Sequence, residues 1–246
     1  IRSISTDDVY AALARGWVDF RAAPQFGLFF GGVYALLGIL IFTQLWVIDQ
    51  PYWILPFAFA FPLVGPFVAI GLYEVSRRRE AGESLDWSAV LGAVWRQRGG
   101  QLPSMAFVVL AGFFVWMWVA SLLVILFVGG MNLAVYSDPN AIFGTPNGLA
   151  LLLVGGMVGG VIAFVLFAVT AVALPMLLDR DVDYVTAMVT SFRAVTANPL
   201  PMTNWAWIVA AGLVVGMVPL FLGLIVTLPV LGHATWHIYR ALIAPE

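Results

Sequence analysis

The sequence predicts an all-α integral membrane protein with six transmembrane helices, and three observations carry that reading. Hydrophobic residues make up 62% of the 246-residue chain and charged residues only 10%, against roughly 45–50% and 25% in soluble domains. Charge-free windows of spanning length recur along the chain, because a charged side chain is costly at the bilayer centre. All 11 basic residues are arginine, and threading those windows through a bilayer puts every one of them on the same side. Mean hydropathy of +0.99 agrees with this class.

The gaps between charged residues place the spans in order. Arg21 to Asp49 holds the first, at 25–48, and Asp49 to Glu74 holds the second, at 52–73. Arg98 to Asp138 and Asp138 to Asp179 hold the third and fourth, at 102–128 and 149–174. Between these two lies SDPNAIFGTPN (137–147), dense in turn formers and read as a loop outside the hydrocarbon. The window from Arg193 to Arg240 is too long for one helix. It divides near Gly216–Pro219 into 202–218 and 219–242, since proline suits the first turn of a helix. A single long kinked helix is the rival reading of this window.

Arg2, Arg15, Arg21, Arg77, Arg78, Arg79, Arg96, Arg98, Arg180, Arg193 and Arg240 share one side, and Asp49 and Asp138 the other. The positive-inside rule then predicts that both termini face the cytoplasm. Trp46, Tyr52 and Trp53 are expected at the outer interface, and Trp205, Trp236 and Tyr239 at the inner one. Nothing at the start of the chain reads as a cleavable signal peptide.

Three cytoplasmic segments share one design. STDDVYAALARGWVDFRAAP, SLDWSAVLGAVWRQRGGQLP and DVDYVTAMVTSFRAVTANP precede the odd-numbered spans. Asp8, Asp86 and Asp183 are each followed nine residues later by an aromatic, Trp17, Trp95 or Phe192. Thr6, Ser84 and Asp181 are the expected N-caps, which puts the aspartates in the first turn where the helix dipole favours an anion. Pro24, Pro103 and Pro199 close the three units. The pattern predicts one transmembrane domain over 1–246 built as three pseudo-repeats, 5–80, 84–178 and 181–242. Each is an amphipathic interfacial helix followed by a transmembrane hairpin. Glycines four apart (27/31, 155/159, 156/160, 212/216) are expected to let helices of this one bundle approach closely.

The chemistry on offer is thin. The chain has no cysteine and two histidines, which excludes disulfides, thiolate metal sites and iron–sulfur clusters. A net charge of −2 offers no field for nucleic acid. No charged group is expected near the midplane, which argues against a proton-coupled pump. GGMVGG follows no strand, so it is no nucleotide loop. Trp116 and Trp118 fall mid-span, where packing is their expected use. Glu74, three residues before Arg77, is expected in a solvated helix-end salt bridge. His233 and His237 stand at i and i+4, the weak candidates for a two-ligand metal edge. Without a further ligand they are expected to bind no metal or haem. In their place His233 should hydrogen-bond a neighbouring helix, and His237 should pair with Glu74 if spans two and six meet.

The strings GWVDFRAAPQFGLFFGGVYALLG, GPFVAIGLYEVSRRREAGE and TLPVLGHATWHIYRAL resemble a bacterial integral membrane family of unknown function, sometimes labelled a cytochrome c oxidase subunit. The resemblance implies an inner-membrane bundle and extends over nearly the whole chain. Two histidines cannot ligate two haems and a copper, so the label would hold only through association with a respiratory complex. The expectation is therefore a non-catalytic protein without cofactor, an accessory or assembly subunit of a larger complex, with membrane lipids and respiratory subunits as partners. A carrier or channel for a small or lipidic molecule is the alternative. A polar cavity between spans would favour the carrier, and an apolar, lipid-facing groove the accessory role.

Overall fold

The computed structural model describes residues 1–46, 54–129 and 142–244. These are helical almost throughout, with no strand among them. Ten α-helices are bounded among the described residues: α1 (Thr6–Ala22), α2 (Pro24–Trp46), α3 (Ile54–Ala81), α4 (Trp87–Gln97), α5 (Leu102–Val124), α6 (Pro146–Thr170), α7 (Ala173–Asp179), α8 (Tyr184–Ala197), α9 (Pro199–Met217) and α10 (Leu224–Leu242). A π-helical turn, Ile125–Gly129, continues α5. Four stretches among the described residues are long and apolar enough to cross a membrane: Pro24–Gln44, Leu102–Gly129, Pro146–Asp179 and Pro199–Met217. They answer to the expected first, third, fourth and fifth spans. The expected second and sixth answer to α3 and α10, which are not among these four. Asp49, Tyr52, Trp53 and Asp138 lie outside the described residues.

Each of the three repeated segments is a helix, but the caps differ from the expected ones. Ser5, not Thr6, caps α1: its hydroxyl accepts from the Asp8 amide at 3.2 Å while Asp8 accepts from the Ser5 amide at 2.8 Å. That is a reciprocal capping box. In α4 and α8 the aspartate is itself the cap, accepting from Ala89 N at 2.8 Å and Thr186 N at 2.9 Å. Ser84 and Asp181 stand outside their helices because Asp86 and Asp183 already satisfy the orphan amides. The first repeat is thus out of phase with the other two: Asp8 sits inside its helix, where Asp86 and Asp183 stand at the cap. Hydrogen bonds at all three sites, led by Ser5, Ser88 and Thr186, hold the carboxyls below their ordinary value.

Proline separates helix from span in the first and third repeats alike. Ala23 (φ −139°, ψ 55°) and Asn198 (φ −128°, ψ 56°) take nearly the same non-helical conformation, and each precedes a proline. Proline's ring disfavours the α region at the residue before it, which ends α1 and α8 there. In the second repeat a run of turns at 98–101 does the same work.

The chain divides into two compact units, 1–107 with 168–246, and 108–167. In the first, α10 is the central element, packed by α1, α2, α3 and α9. Phe26, Phe30 and Tyr34 of α2 meet Val68, Leu72 and Val75 of α3, together with Val90 and Leu224, in a core that Trp87 covers against Phe26 with ring centroids 4.4 Å apart. Two glycines make the approach to α10 close. A Cβ at Gly16 would lie 2.6 Å from Val230 O and 2.7 Å from Ala234 N, and one at Gly31 would lie 2.8 Å from Leu224 O. The pairs 27/31 and 212/216 therefore serve internal packing, as expected.

The helix α10, which answers to the expected sixth span, begins at Leu224 and not at Pro219. Leu220 (φ 49°) and Phe221 (φ 65°) adopt left-handed backbone in the turn that precedes it, a conformation rare for non-glycine residues. Gly216 and Gly223 permit that turn: a Cβ on Gly223 would lie 2.8 Å from the Gly216 backbone.

The second unit is a helical hairpin from α5 and α6. Trp116 fills the space a Gly159 side chain would occupy, as Leu166 does at Gly112. Among the described residues, and apart from their own helix backbone, Gly155, Gly156 and Gly160 have no atom within 4 Å of where a Cβ would stand. Trp118, Leu126, Leu153 and Val161 are exposed.

Candidate functional site, a polar centre on three helices

Asp19 lies on the stripe Val9, Ala12, Gly16, Phe20 that α1 turns inward, so its carboxylate is carried into the protein with them. It is 6% exposed. Because Gly16 lets α1 cross α10 closely, Asp19 arrives between α3 and α10. Its Oδ2 accepts from Ser76 Oγ at 2.7 Å and from His237 Nε2 at 2.8 Å. Arg79 Nε stands 3.4 Å from Oδ1, and Arg79 also donates to the Val18 and Asp19 carbonyls at 3.2 Å. Burial disfavours the Asp19 charge, but the bonds from His237 and Ser76 outweigh it and hold the carboxyl below its ordinary value.

The proton inventory fixes the rest. Ser76 has one hydroxyl proton, spent on Asp19, so at its 2.9 Å contact with His233 Nδ1 the histidine must donate. His233 Nε2 is then a bare acceptor, and it is buried with no hydrogen-bond partner among the described residues. The order His233–Ser76–Asp19–His237 sets the serine between the carboxylate and a histidine. In a hydrolytic triad the histidine stands in the middle and takes the serine proton. What this order does is fasten α1 to α3 and α10.

His233 therefore bonds a neighbouring helix, as the sequence predicts, while His237 meets Asp19 and not Glu74. Glu74 is taken on its own helix: Arg77 Nε is 2.7 Å and Arg78 Nε 2.7 Å from its carboxylate. The Arg77 pairing is the expected one, but the site is not solvated, for Glu74 is 1% exposed. Two buried hydrogen-bonded arginine contacts leave it no reason to turn toward α10. Each of the two histidines commits a ring nitrogen to the Asp19 centre. Among the described residues no group of three His, Asp or Glu is placed to hold a metal ion.

A second cluster lies one turn further along α10. Trp236 Nε1 donates to Glu80 Oε2 at 2.9 Å, Tyr239 donates to Asp179 at 2.6 Å, and Arg240 Nε is 3.1 Å from Glu80. Trp205, Trp236 and Tyr239, expected at the inner interface, are buried at about 1% exposure. Their rings pack inside, and the Trp236 N–H and Tyr239 O–H find carboxylates within the protein. Arg77 serves its own helix end, whereas Arg240 reaches across to Glu80 and Asp179. Asn198 straps the N-terminal segment down, accepting from Ile4 N at 2.8 Å and donating to Arg2 O at 3.1 Å.

The aromatics of the three repeats behave alike. Trp17, Trp95 and Phe192 are 45%, 63% and 48% exposed. Arg98 lies over the Trp95 ring at 3.6 Å, a cation–π contact that orients both. Asp19 and Ser76 were not singled out from sequence. The available signal for Asp19 was its register, three residues after Gly16 and seven after Ala12 on a face of small residues.

Neither the curated proteins nor the solved structures include a match to this chain. A family model does match residues 54–179, and its description reads "Predicted integral membrane protein (DUF2189)". Of the three strings that carry the resemblance, GPFVAIGLYEVSRRREAGE falls within that match and the other two lie outside it. The matched segment covers just over half of the chain and joins α3 to α7, so this is an integral membrane protein belonging to the DUF2189 family.

Proposed function

We propose that the protein is a non-catalytic, six-span inner-membrane protein that acts as an accessory or assembly partner of a larger membrane complex. In this reading α3 and α10 complete the six spans, and α1, α4 and α8 lie at the cytoplasmic interface with Trp17, Trp95 and Phe192 directed at lipid. Respiratory complexes are one class of partner. The observation that carries the reading is the nature of the gap between α2, α3, α9 and α10. It encloses about 300 Å³ and is lined by Leu72, Leu213, Leu224, Leu228 and Leu231 with Tyr34 and Thr235 as its polar members. An apolar recess among spans suits a partner helix or an acyl chain better than a hydrated solute, which needs polar groups along its path. The open face at Gly155, Gly156 and Gly160 supports it too, because small residues let a second helix approach closely in lipid.

The test is purification from native membranes in mild detergent with mass spectrometry of what accompanies the chain. Defined membrane-complex subunits are expected at near-stoichiometric yield, and Gly156→Leu, Gly160→Leu should reduce them at least severalfold. Repeated recovery of the chain alone would contradict the accessory role.

A further inference from the structure

Beside the Asp19 centre a cleft of about 420 Å³ opens between α1, α3 and α10, lined by Ala14, Arg15, Val18, Asp19, Arg79, Glu80 and His237. Its charged lining balances, two arginines against two carboxylates. Arg15 is exposed and makes no ion-pair contact within 4 Å among the described residues, its charge acting only at longer range on Asp8. A lone anion entering here would meet Asp19 and Glu80, and a lone cation would meet Arg15 and Arg79. A ligand carrying both signs a few ångströms apart meets neither repulsion. The volume is ample for such a group, lying within the ordinary range for small-ligand sites of about 300–1,000 Å³. Val18, itself exposed, adds apolar surface to the lining, and exposed Tyr10 and Trp17 stand elsewhere on the same helix. Indole and phenol rings favour the headgroup level of a bilayer.

We propose that this cleft binds the headgroup of a zwitterionic phospholipid bearing a primary amine, of the phosphatidylethanolamine class. Arg15 takes the phosphate through its fork of N–H donors, with Arg79 adding charge behind it. The ammonium donates to the Glu80 carboxylate, which is 40% exposed at the side chain and keeps lone pairs free beside its bonds from Trp236 and Arg240. A trimethylated amine has no N–H to donate, so a choline headgroup forfeits that half of the site. This rests on the orientation proposed above, which sets the arginine-bearing ends of α3 and α10 at headgroup depth.

The test is native mass spectrometry of the purified full chain after titration with dioleoyl phosphatidylethanolamine, phosphatidylglycerol and phosphatidylcholine at equal concentration. Phosphatidylethanolamine should be retained at least fivefold better than either of the others. Arg15→Ala, at an exposed position, should abolish that preference with an unchanged unfolding profile, and Arg15→Lys should keep part of it. Glycerophosphoethanolamine without acyl chains should not compete at millimolar concentration. Equal retention of the three lipids, an unaltered preference in Arg15→Ala, or full competition by the soluble headgroup would each overturn the proposal. None of these readouts depends on a protein partner, so failure of the accessory role leaves this result standing, and the reverse.

Discussion

Replacing Asp19 by alanine is expected to cost about 3–5 kcal/mol, the usual penalty for removing one partner from a buried charged pair. The loss falls on what remains. The Ser76 hydroxyl, His237 Nε2 and Arg79 would keep their donors in a buried site with the shared acceptor gone. Asp19→Asn keeps an acceptor oxygen and loses the charge, so its penalty should be smaller. Unfolding of the detergent-solubilised protein by SDS titration measures both, and wild-type-like midpoints for Asp19→Ala would remove the centre from the account. The pH dependence has a definite sign. Because the folded-state carboxyl lies below its unfolded value, its stabilisation is present above about pH 4 and fades as pH falls through the depressed value. That acid-side loss should be weaker in Asp19→Asn.

Gly16→Ala should be nearly as damaging, although on an isolated helix alanine stabilises relative to glycine by up to about 1 kcal/mol. The added Cβ would stand 2.6 Å from Val230 O and 2.7 Å from Ala234 N. Both are backbone atoms of α10 and cannot rotate away. α1 must lift, and lifting it withdraws Asp19 from His237 and Ser76. Overpacking of this kind costs roughly 1–3 kcal/mol and occasionally more, and here the broken polar contacts add to it. Gly160→Ala is the control, since no described residue, apart from its own helix backbone, has an atom within 4 Å of that Cβ position. If Gly16→Ala proved as stable as Gly160→Ala in the same SDS titration, the close crossing of α1 and α10 would be wrong.

These two residues also mark where sequence reasoning stopped. Charge-free windows located the four helices long and apolar enough to cross a membrane, because lipid penalises charge over lengths set by its thickness, a constraint written directly into composition. Aspartate–aromatic spacing located α1, α4 and α8, because a capped helix with one apolar face leaves a local pattern. Which surface each helix covers is not local. α1 looked like the other two, and its distinction, glycine and aspartate on a face of small residues, becomes informative only once α10 lies across it. For the same reason the sequence offers His237 the carboxylate of Glu74, while Asp19 reaches it from a segment 218 residues away. Glu74 shows the converse: its arginines are three and four residues along the same helix, so that pairing could be read from spacing. The turn before α10 escaped because its left-handed residues are Leu220 and Phe221, where glycine or asparagine would have announced it.

The proposed orientation turns the arginine-bearing helix ends, with the Asp19 centre and α1, α4 and α8, toward the cytoplasm. The chain has no cysteine, so single cysteines introduced at Arg98 and Asn140 can be probed against no background. With an impermeant thiol reagent on intact spheroplasts, the account predicts labelling at position 140 and none at 98 until the membrane is opened. Labelling at 98 with protection at 140 would contradict it.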